Sequence, residues 1–136
     1  MSETAIEQFL AEQPEAWQPM MADLNRIILS ADPSVTPVVE PMMGKRMIIY
    51  KDRGSMKYAL AGMKDFMTLH VLPIYGSPAL SEKYKALLPK AGFRKGCFNF
   101  TGPDQVPPEV ARQLFEECAP IDLVKIREDY LKSRKK

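Results

Sequence analysis

The sequence has few histidines and cysteines, the residues that form tight zinc sites and disulfides. It has one histidine and two cysteines. No Cys-x-x-Cys, His-x-His or His-Glu-x-x-His spacing occurs, which argues against a tight zinc-type centre. Cys97 and Cys118 are too few for a disulfide framework. These absences exclude a fold that depends on disulfides, and any metal site is expected to bind weakly.

Long apolar runs are also missing. None approaches the roughly 20 residues that a membrane-spanning helix needs. The acidic start, MSETAIEQ, lacks the apolar centre of a secretory signal. We therefore expect a cytoplasmic protein with no membrane partner.

Basic charge is in small excess only. Nineteen Lys and Arg residues face seventeen Asp and Glu residues, for a net charge of +2. This balance lacks the basic footprint of a nucleic-acid-binding domain. The basic tail at about 132–136 has no interleaved aromatic residues and is interpreted as solubilising. We expect no nucleic-acid partner.

The length and composition fit one ordinary globular domain. The chain has 136 residues, of which 46% are hydrophobic and 26% charged. A chain of this size buries a core without disulfides or structural metals. We predict a single domain over 1–136, with the basic tail at its end.

The clearest local pattern is an alternation of apolar and other residues in 66–72. Met67, Leu69 and Val71 share one side of this segment, which predicts a half-buried strand. A weaker alternation in 56–61 and the short connection 62–65 complete a β-hairpin. The side opposite the predicted core then carries Phe66, Thr68 and His70.

The remaining patterns predict an α+β fold. Prolines at 33, 37 and 41 favour an extended segment over 33–46 without regular ladder pairing. The predicted topology is an antiparallel sheet of about four or five strands with helices packed on one face. Helices are predicted over about 5–12, from 17 or 18 to 31, after 77, from 107 and over about 121–131, where the last one frays into the basic tail. Strands are predicted over 47–51, 56–61, 66–72 and 96–101.

Several segments together form a recognisable pattern. They are the N-terminal helical pair, the extended segment before Tyr50, the dipeptide Tyr58-Ala59, the turn at Lys64, the strand 66–71, the strand Cys97-Phe98-Asn99-Phe100 and the helix that begins Pro107-Pro108. With these segments the chain resembles the YdhG-like family, small bacterial domains mostly of unknown function, over about residues 4–120. The resemblance implies an α+β fold that is loosely frataxin-like.

The resemblance also implies a function. One member of the family is regarded as a frataxin-like iron chaperone that uses surface carboxylates. Glu3 and Glu7 are four residues apart and share one face of the first predicted helix, and weakly held iron takes such oxygen ligands. We therefore expect an uncharacterised, non-enzymatic binding protein that is iron-binding or chaperone-like, with Glu3 and Glu7 as metal ligands. The alternative interpretation of these acids is a solvated helix face.

A second hypothesis places function on the sheet. His70 and Thr68 lie on the predicted non-core side of their strand, near Asn99 and Cys97 of the next one. This arrangement suits a small-molecule sensor or an enzyme, although no acid is placed to orient the histidine for nucleophilic catalysis. We predict His70, Thr68 and Asn99 as ligand-binding residues.

Further residues could line a pocket for such a ligand. Met42 and Met43 lie in an irregular segment beside Gly44, and Tyr58 and Arg94 could supply polar edges. Ligand sites are mostly apolar with a few placed polar groups, so these four residues join the predicted set.

The predicted partners are a small molecule, a metal ion or another protein. Phe66 on an exposed sheet face would form an apolar patch, and such patches often mark interfaces. A homodimer is the partner that this patch predicts.

Overall fold

Helices and antiparallel strands make up most of the described chain. The computed structural model describes residues 2–42, 44–63, 65–75, 77–88, 91–94, 97–102, 105 and 107–134. The helices are α1 (Ser2–Ala11), α2 (Gln18–Ala31), α3 (Leu72–Tyr75), α4 (Pro78–Leu87), α5 (Pro108–Cys118) and α6 (Leu123–Arg134). The strands are β1 (Thr36–Met42), β2 (Lys45–Asp52), β3 (Ser55–Gly62), β4 (Met67–Val71), β5 (Gly92–Arg94) and β6 (Cys97–Phe100).

The strands form one sheet in the order β1-β2-β3-β4-β6-β5, and every pair is antiparallel. The predicted α+β class is confirmed. The described sheet is wider than the sequence indicates, because β1 and β5 add a strand at each edge. None of the described helices is long and apolar enough to cross a membrane.

Strand β1 corrects the prediction of an unpaired extended segment. It pairs with β2 along its whole length, from Thr36 opposite Lys51 to Met42 opposite Lys45. Proline is tolerated on an edge strand where its nitrogen points away from the neighbouring strand. Pro37 and Pro41 are four residues apart, so both nitrogens point to the same side. The proline spacing is therefore compatible with an edge strand.

The main core lies between the helices and one face of the sheet. The apolar stripe of α2, which includes Met21, Leu24 and Ile28, is buried against it, as the three-and-four spacing predicts. Six strand residues are also fully buried against the helices: Leu60, Met67, Leu69, Val71, Phe98 and Phe100. Met67, Leu69 and Val71 are the side of β4 that the alternation predicts as core.

The opposite side of the sheet, here called the outer face, carries a second and smaller cluster. Met47, Ile49, Ala59 and Ala61 are at most 5% exposed and pack with partly buried neighbours from β1, β3 and the β3–β4 connection. No described helix residue belongs to this cluster, in agreement with the prediction that helices pack on one face. The β1–β3 half of the outer face is therefore buried and is not an open apolar surface.

A β-bulge places one lysine against the helices. Tyr50 pairs with Tyr58, but Lys51 pairs with Met56, which leaves Lys57 as the extra residue of β3. A bulge interrupts the alternation of sides along a strand. The Lys57 side chain therefore lies between the ends of α2 and α5, where it is buried.

Candidate functional site

The candidate site lies on the outer face where β4 and β6 pair. Antiparallel register aligns residues of successive strands into two rows across this face. The first row runs Val38, Ile49, Ala59, His70 and Cys97; the second ends in Ala61, Thr68 and Asn99. The rows change from apolar to polar between β3 and β4. We call Thr68, His70, Cys97 and Asn99 the polar quartet.

Hydrogen bonds join three members of the polar quartet. Thr68 Oγ1 lies 3.1 Å from Cys97 Sγ, and the thiol donates to Asn99 Oδ1 at 3.8 Å. Thr68 is buried, whereas His70, Cys97 and Asn99 are half-buried. The quartet is thus partly accessible, unlike the apolar half of the same face.

His70 and Asn99 keep unused hydrogen-bonding capacity. Neither nitrogen of the His70 ring has a partner among the described residues, and the same holds for the Asn99 amide nitrogen. Burial lowers the pKa of His70 below its ordinary value, so the ring is neutral at pH 7 and offers one donor and one acceptor. The two side chains therefore present both donors and acceptors at the surface of the sheet.

The structure corrects the predicted role of Tyr58. This residue pairs with Val71 on the helix-covered face, where it is fully buried, and its hydroxyl donates to Asp32 Oδ2 at 2.6 Å. It cannot line a pocket with His70, because the two side chains lie on opposite sides of the sheet.

The other predicted pocket residues are placed only in part. Arg94 aligns with Cys97 at the edge strand β5, and Met42 ends β1; the side chains of both lie outside the described part of the chain. Met43 lies outside the described residues altogether. Their predicted contribution to a ligand site stays a prediction.

The predicted metal ligands lie on α1. Glu7 is exposed, and the Glu3 side chain is outside the described residues. Across the described ranges, no group of three or more His, Cys, Asp and Glu side chains could hold a metal ion. The iron site stays a prediction without support from these residues.

A second polar cluster is buried beneath the helices, and no pattern in the sequence predicts it. Lys57 Nζ lies 2.7 Å from Asp32 Oδ2, and both side chains are at most 2% exposed. Lys57 also donates to the Ala119 carbonyl at 3.1 Å, at the end of α5. The other Asp32 oxygen accepts from the Ser34 amide and hydroxyl at 3.1 and 2.5 Å. This cluster ties α2, the bulge of β3 and α5 together.

The buried cluster is a structural feature and not a binding site. No buried side-chain nitrogen or oxygen of the described residues lacks a hydrogen-bond partner. Burial by itself would raise the pKa of Asp32, but hydrogen bonds from Lys57, Ser34 and Tyr58 outweigh it and keep the pKa below its ordinary value. Asp32 is thus a carboxylate at neutral pH whose charge is fully compensated.

The two cysteines should differ sharply in reactivity. Cys97 is half-buried, whereas Cys118 is fully buried, and burial raises the pKa of Cys118 to about 12. The thiolate is the reactive form of cysteine. In native protein we therefore expect Cys97 to react with Ellman's reagent on the order of a hundredfold faster than Cys118. Cys97→Ser should remove the fast reaction, and both thiols should react in denaturant. Two equally fast thiols in native protein would contradict this assignment.

Comparison of the chain with protein-family models, with curated proteins and with solved structures found no match. The resemblance to the YdhG-like family therefore stays a prediction from the sequence.

Proposed function

We propose that this protein is a non-enzymatic binding protein whose polar quartet holds a small neutral ligand through a carboxamide-like group. The observation that carries the proposal is the unused hydrogen-bonding capacity of His70 and Asn99. Both side chains are half-buried on a face where no described helix residue packs against the apolar cluster. A carboxamide carries one acceptor and two donors in one plane, which complements a neutral imidazole and an amide NH₂.

Electrostatics favour a neutral ligand. Thr68 and Asn99 carry no charge, and burial lowers the pKa of His70 below its ordinary value, so that its ring is neutral at pH 7. Burying an ion against uncharged groups costs far more than burying a hydrogen-bonded amide. A carboxamide should therefore bind more tightly than the corresponding carboxylate.

The hydrogen bonds of Cys97 argue for binding without catalysis. A nucleophilic thiol requires an adjacent base, and that base in turn requires an orienting group. Cys97 bonds to Thr68 and Asn99, and no described side chain orients His70. The quartet has the components of a recognition surface but not the connections of a catalytic triad.

The test is an NMR titration with benzamide as the probe. We expect benzamide to shift the ring resonances of His70 and the side-chain amide of Asn99, with benzoate shifting them less. The ring is a unique reporter because His70 is the only histidine. Since each substitution removes one net hydrogen bond, Asn99→Ala and His70→Phe should each weaken binding roughly three- to tenfold.

Thr36→Ala is the matched control. Thr36 lies at the far edge of the same face and is exposed, so its loss should leave benzamide affinity unchanged. The proposal fails if benzamide at roughly tens of millimolar leaves His70 and Asn99 unshifted, or if neither quartet substitution weakens binding.

A further inference from the structure

A groove on the helix layer is independent of the polar quartet. It lies between α2 and α5, where it encloses about 170 Å³. The α2 residues Met20, Leu24 and Ile27 line it and are 2–8% exposed. From α5 only Pro108 and Ala111 reach it. The groove is open because α5 presents a proline and an alanine where a larger side chain would fill the space.

A polar cavity of about 440 Å³ adjoins this groove and shares Asp23, Ile27 and Pro108 with it. Arg26, Ser30 and Arg112 complete its lining. The apolar groove therefore leads directly to a rim that carries two guanidinium groups and one carboxylate.

The two arginines of the rim are not equivalent. Arg26 forms an ion pair with Asp23, one turn earlier on α2. Arg112 is exposed and makes no hydrogen bond or ion pair with any described residue. Its planar fork of donors is suited to a carboxylate. The rim thus retains one positive charge beyond its internal pair, on Arg112.

We propose that this groove binds a small amphipathic carboxylate, with the apolar body between α2 and α5 and the carboxylate on Arg112. The volume sets the size of the body, since an engineered apolar cavity of about 150 Å³ accommodates benzene. A straight chain of about six carbons is of comparable size. The charge of Arg112 selects an acid over an alcohol with the same apolar body.

The experiment uses hexanoate, hexan-1-ol and acetate in parallel NMR titrations of the whole protein. Hexanoate should shift resonances of Ile27 and Ala111 and leave those of the polar quartet in place. Hexan-1-ol should bind the same groove roughly three- to tenfold more weakly, because it lacks the charge-assisted bond. Acetate, which lacks the apolar body, should shift neither residue at the same concentration.

Two substitutions separate the apolar and the charged contributions. Ala111→Leu places a larger side chain in the groove and should abolish binding of hexanoate and hexan-1-ol alike. Arg112→Gln is on the surface and should reduce hexanoate affinity to that of hexan-1-ol without affecting the alcohol. Arg46→Gln, at an exposed arginine of β2 paired with Glu12, is the control and should change neither affinity.

Hexanoate binding that is insensitive to Arg112→Gln would overturn the proposal, and so would shifts spread over the surface instead of along α2 and α5. Because Arg112→Gln alters only an exposed side chain, the test stands even if Ala111→Leu disturbs folding. Failure of the hexanoate test would not contradict the proposed function of the polar quartet, because the benzamide titration reports on the opposite face of the sheet.

Discussion

Replacement of Lys57 by methionine is expected to lower the free energy of unfolding by about 3–5 kcal/mol. Methionine matches the length of the lysine stem but removes the charge that compensates Asp32. Asp32 is 1% exposed, so its carboxylate would keep only Tyr58 and Ser34 as partners. The Ala119 carbonyl would also lose the bond that Lys57 donates at the end of α5. Urea denaturation followed by circular dichroism measures the change.

The double variant Lys57→Met/Asp32→Asn tests whether this loss comes from an uncompensated charge. The asparagine oxygen can still accept from Ser34, and its NH₂ group can donate to the Tyr58 hydroxyl oxygen, while the buried charges are gone. Replacing a whole buried ion pair is often neutral, so we expect the double variant to recover more than half of the lost stability. A double variant no more stable than Lys57→Met alone would show that the methionine itself, and not the stranded carboxylate, is the cause.

The stability that Lys57→Met loses should depend on pH in a specific direction. In the native protein the pKa of Asp32 is below its ordinary value of 3.8, so its contribution is present above that value and is lost as pH falls through the lower folded pKa. Without Lys57, neither its hydrogen bond nor its charge lowers the pKa of Asp32, so protonation of Asp32 should cost the variant less stability than it costs the native protein. The stability difference between the two proteins should therefore shrink from pH 7 to pH 3. A constant difference would contradict this account.

Much of the fold could be predicted because burial imposes simple periods on the sequence. The α2 stripe through Leu24 and Ile28 has helical spacing, and the β4 residues Met67, Leu69 and Val71 have the alternation of a half-buried strand. Both patterns depend only on which side of an element faces the core. They therefore remain visible in a single sequence.

The Lys57–Asp32 pair could not be predicted from the same periods. Strict alternation places Lys57 with Ala59 and Ala61 on the outer face. Only the bulge opposite Tyr50 and Lys51 turns it towards the helices. A bulge depends on how two strands pair, so the spacing of residues within β3 alone does not predict it. In the sequence Asp32 is visible only as the residue that ends α2 before a proline.

The part of the candidate site that lies on β4 could be placed from the sequence. Alternation alone places Thr68 and His70 opposite the core, and pairing with β6 adds Asn99 and Cys97. Tyr58 was wrongly grouped with them. It lies two residues from Leu60 and so shares the core side of β3, as its pairing with Val71 shows. Its hydroxyl was predicted as a polar edge of a pocket, but that hydroxyl donates to the buried Asp32.

Replacement of Trp17 by alanine is the second change expected to have a large effect. Trp17 lies between α1 and α2, is 5% exposed, and donates from Nε1 to the Met63 carbonyl at 2.9 Å. Gln13 reinforces this contact, because its Oε1 accepts from the Gly62 amide at 3.0 Å. These two bonds attach the N-terminal helical pair to the connection between β3 and β4.

Trp17→Ala should destabilise the protein by about 3–5 kcal/mol, because it leaves a large cavity in the core. The Met63 carbonyl also loses its partner, and the turn closed by the Met63 amide and the Phe66 carbonyl at 2.7 Å should exchange hydrogen faster. Urea unfolding is followed by circular dichroism, since Trp17 is the only tryptophan and its fluorescence disappears with it. Hydrogen exchange at Met63 measures the local effect.

Trp17→Phe separates the ring from its hydrogen bond. Phenylalanine keeps most of the apolar volume but cannot donate, so we expect a loss of about 1–2 kcal/mol together with the faster exchange at Met63. If Trp17→Phe were as damaging as Trp17→Ala, the hydrogen bond to the turn would outweigh packing. If it left exchange at Met63 unchanged, the bond would not hold the turn. Because this turn leads directly into β4, its attachment to the helical pair also holds the strand that carries Thr68 and His70.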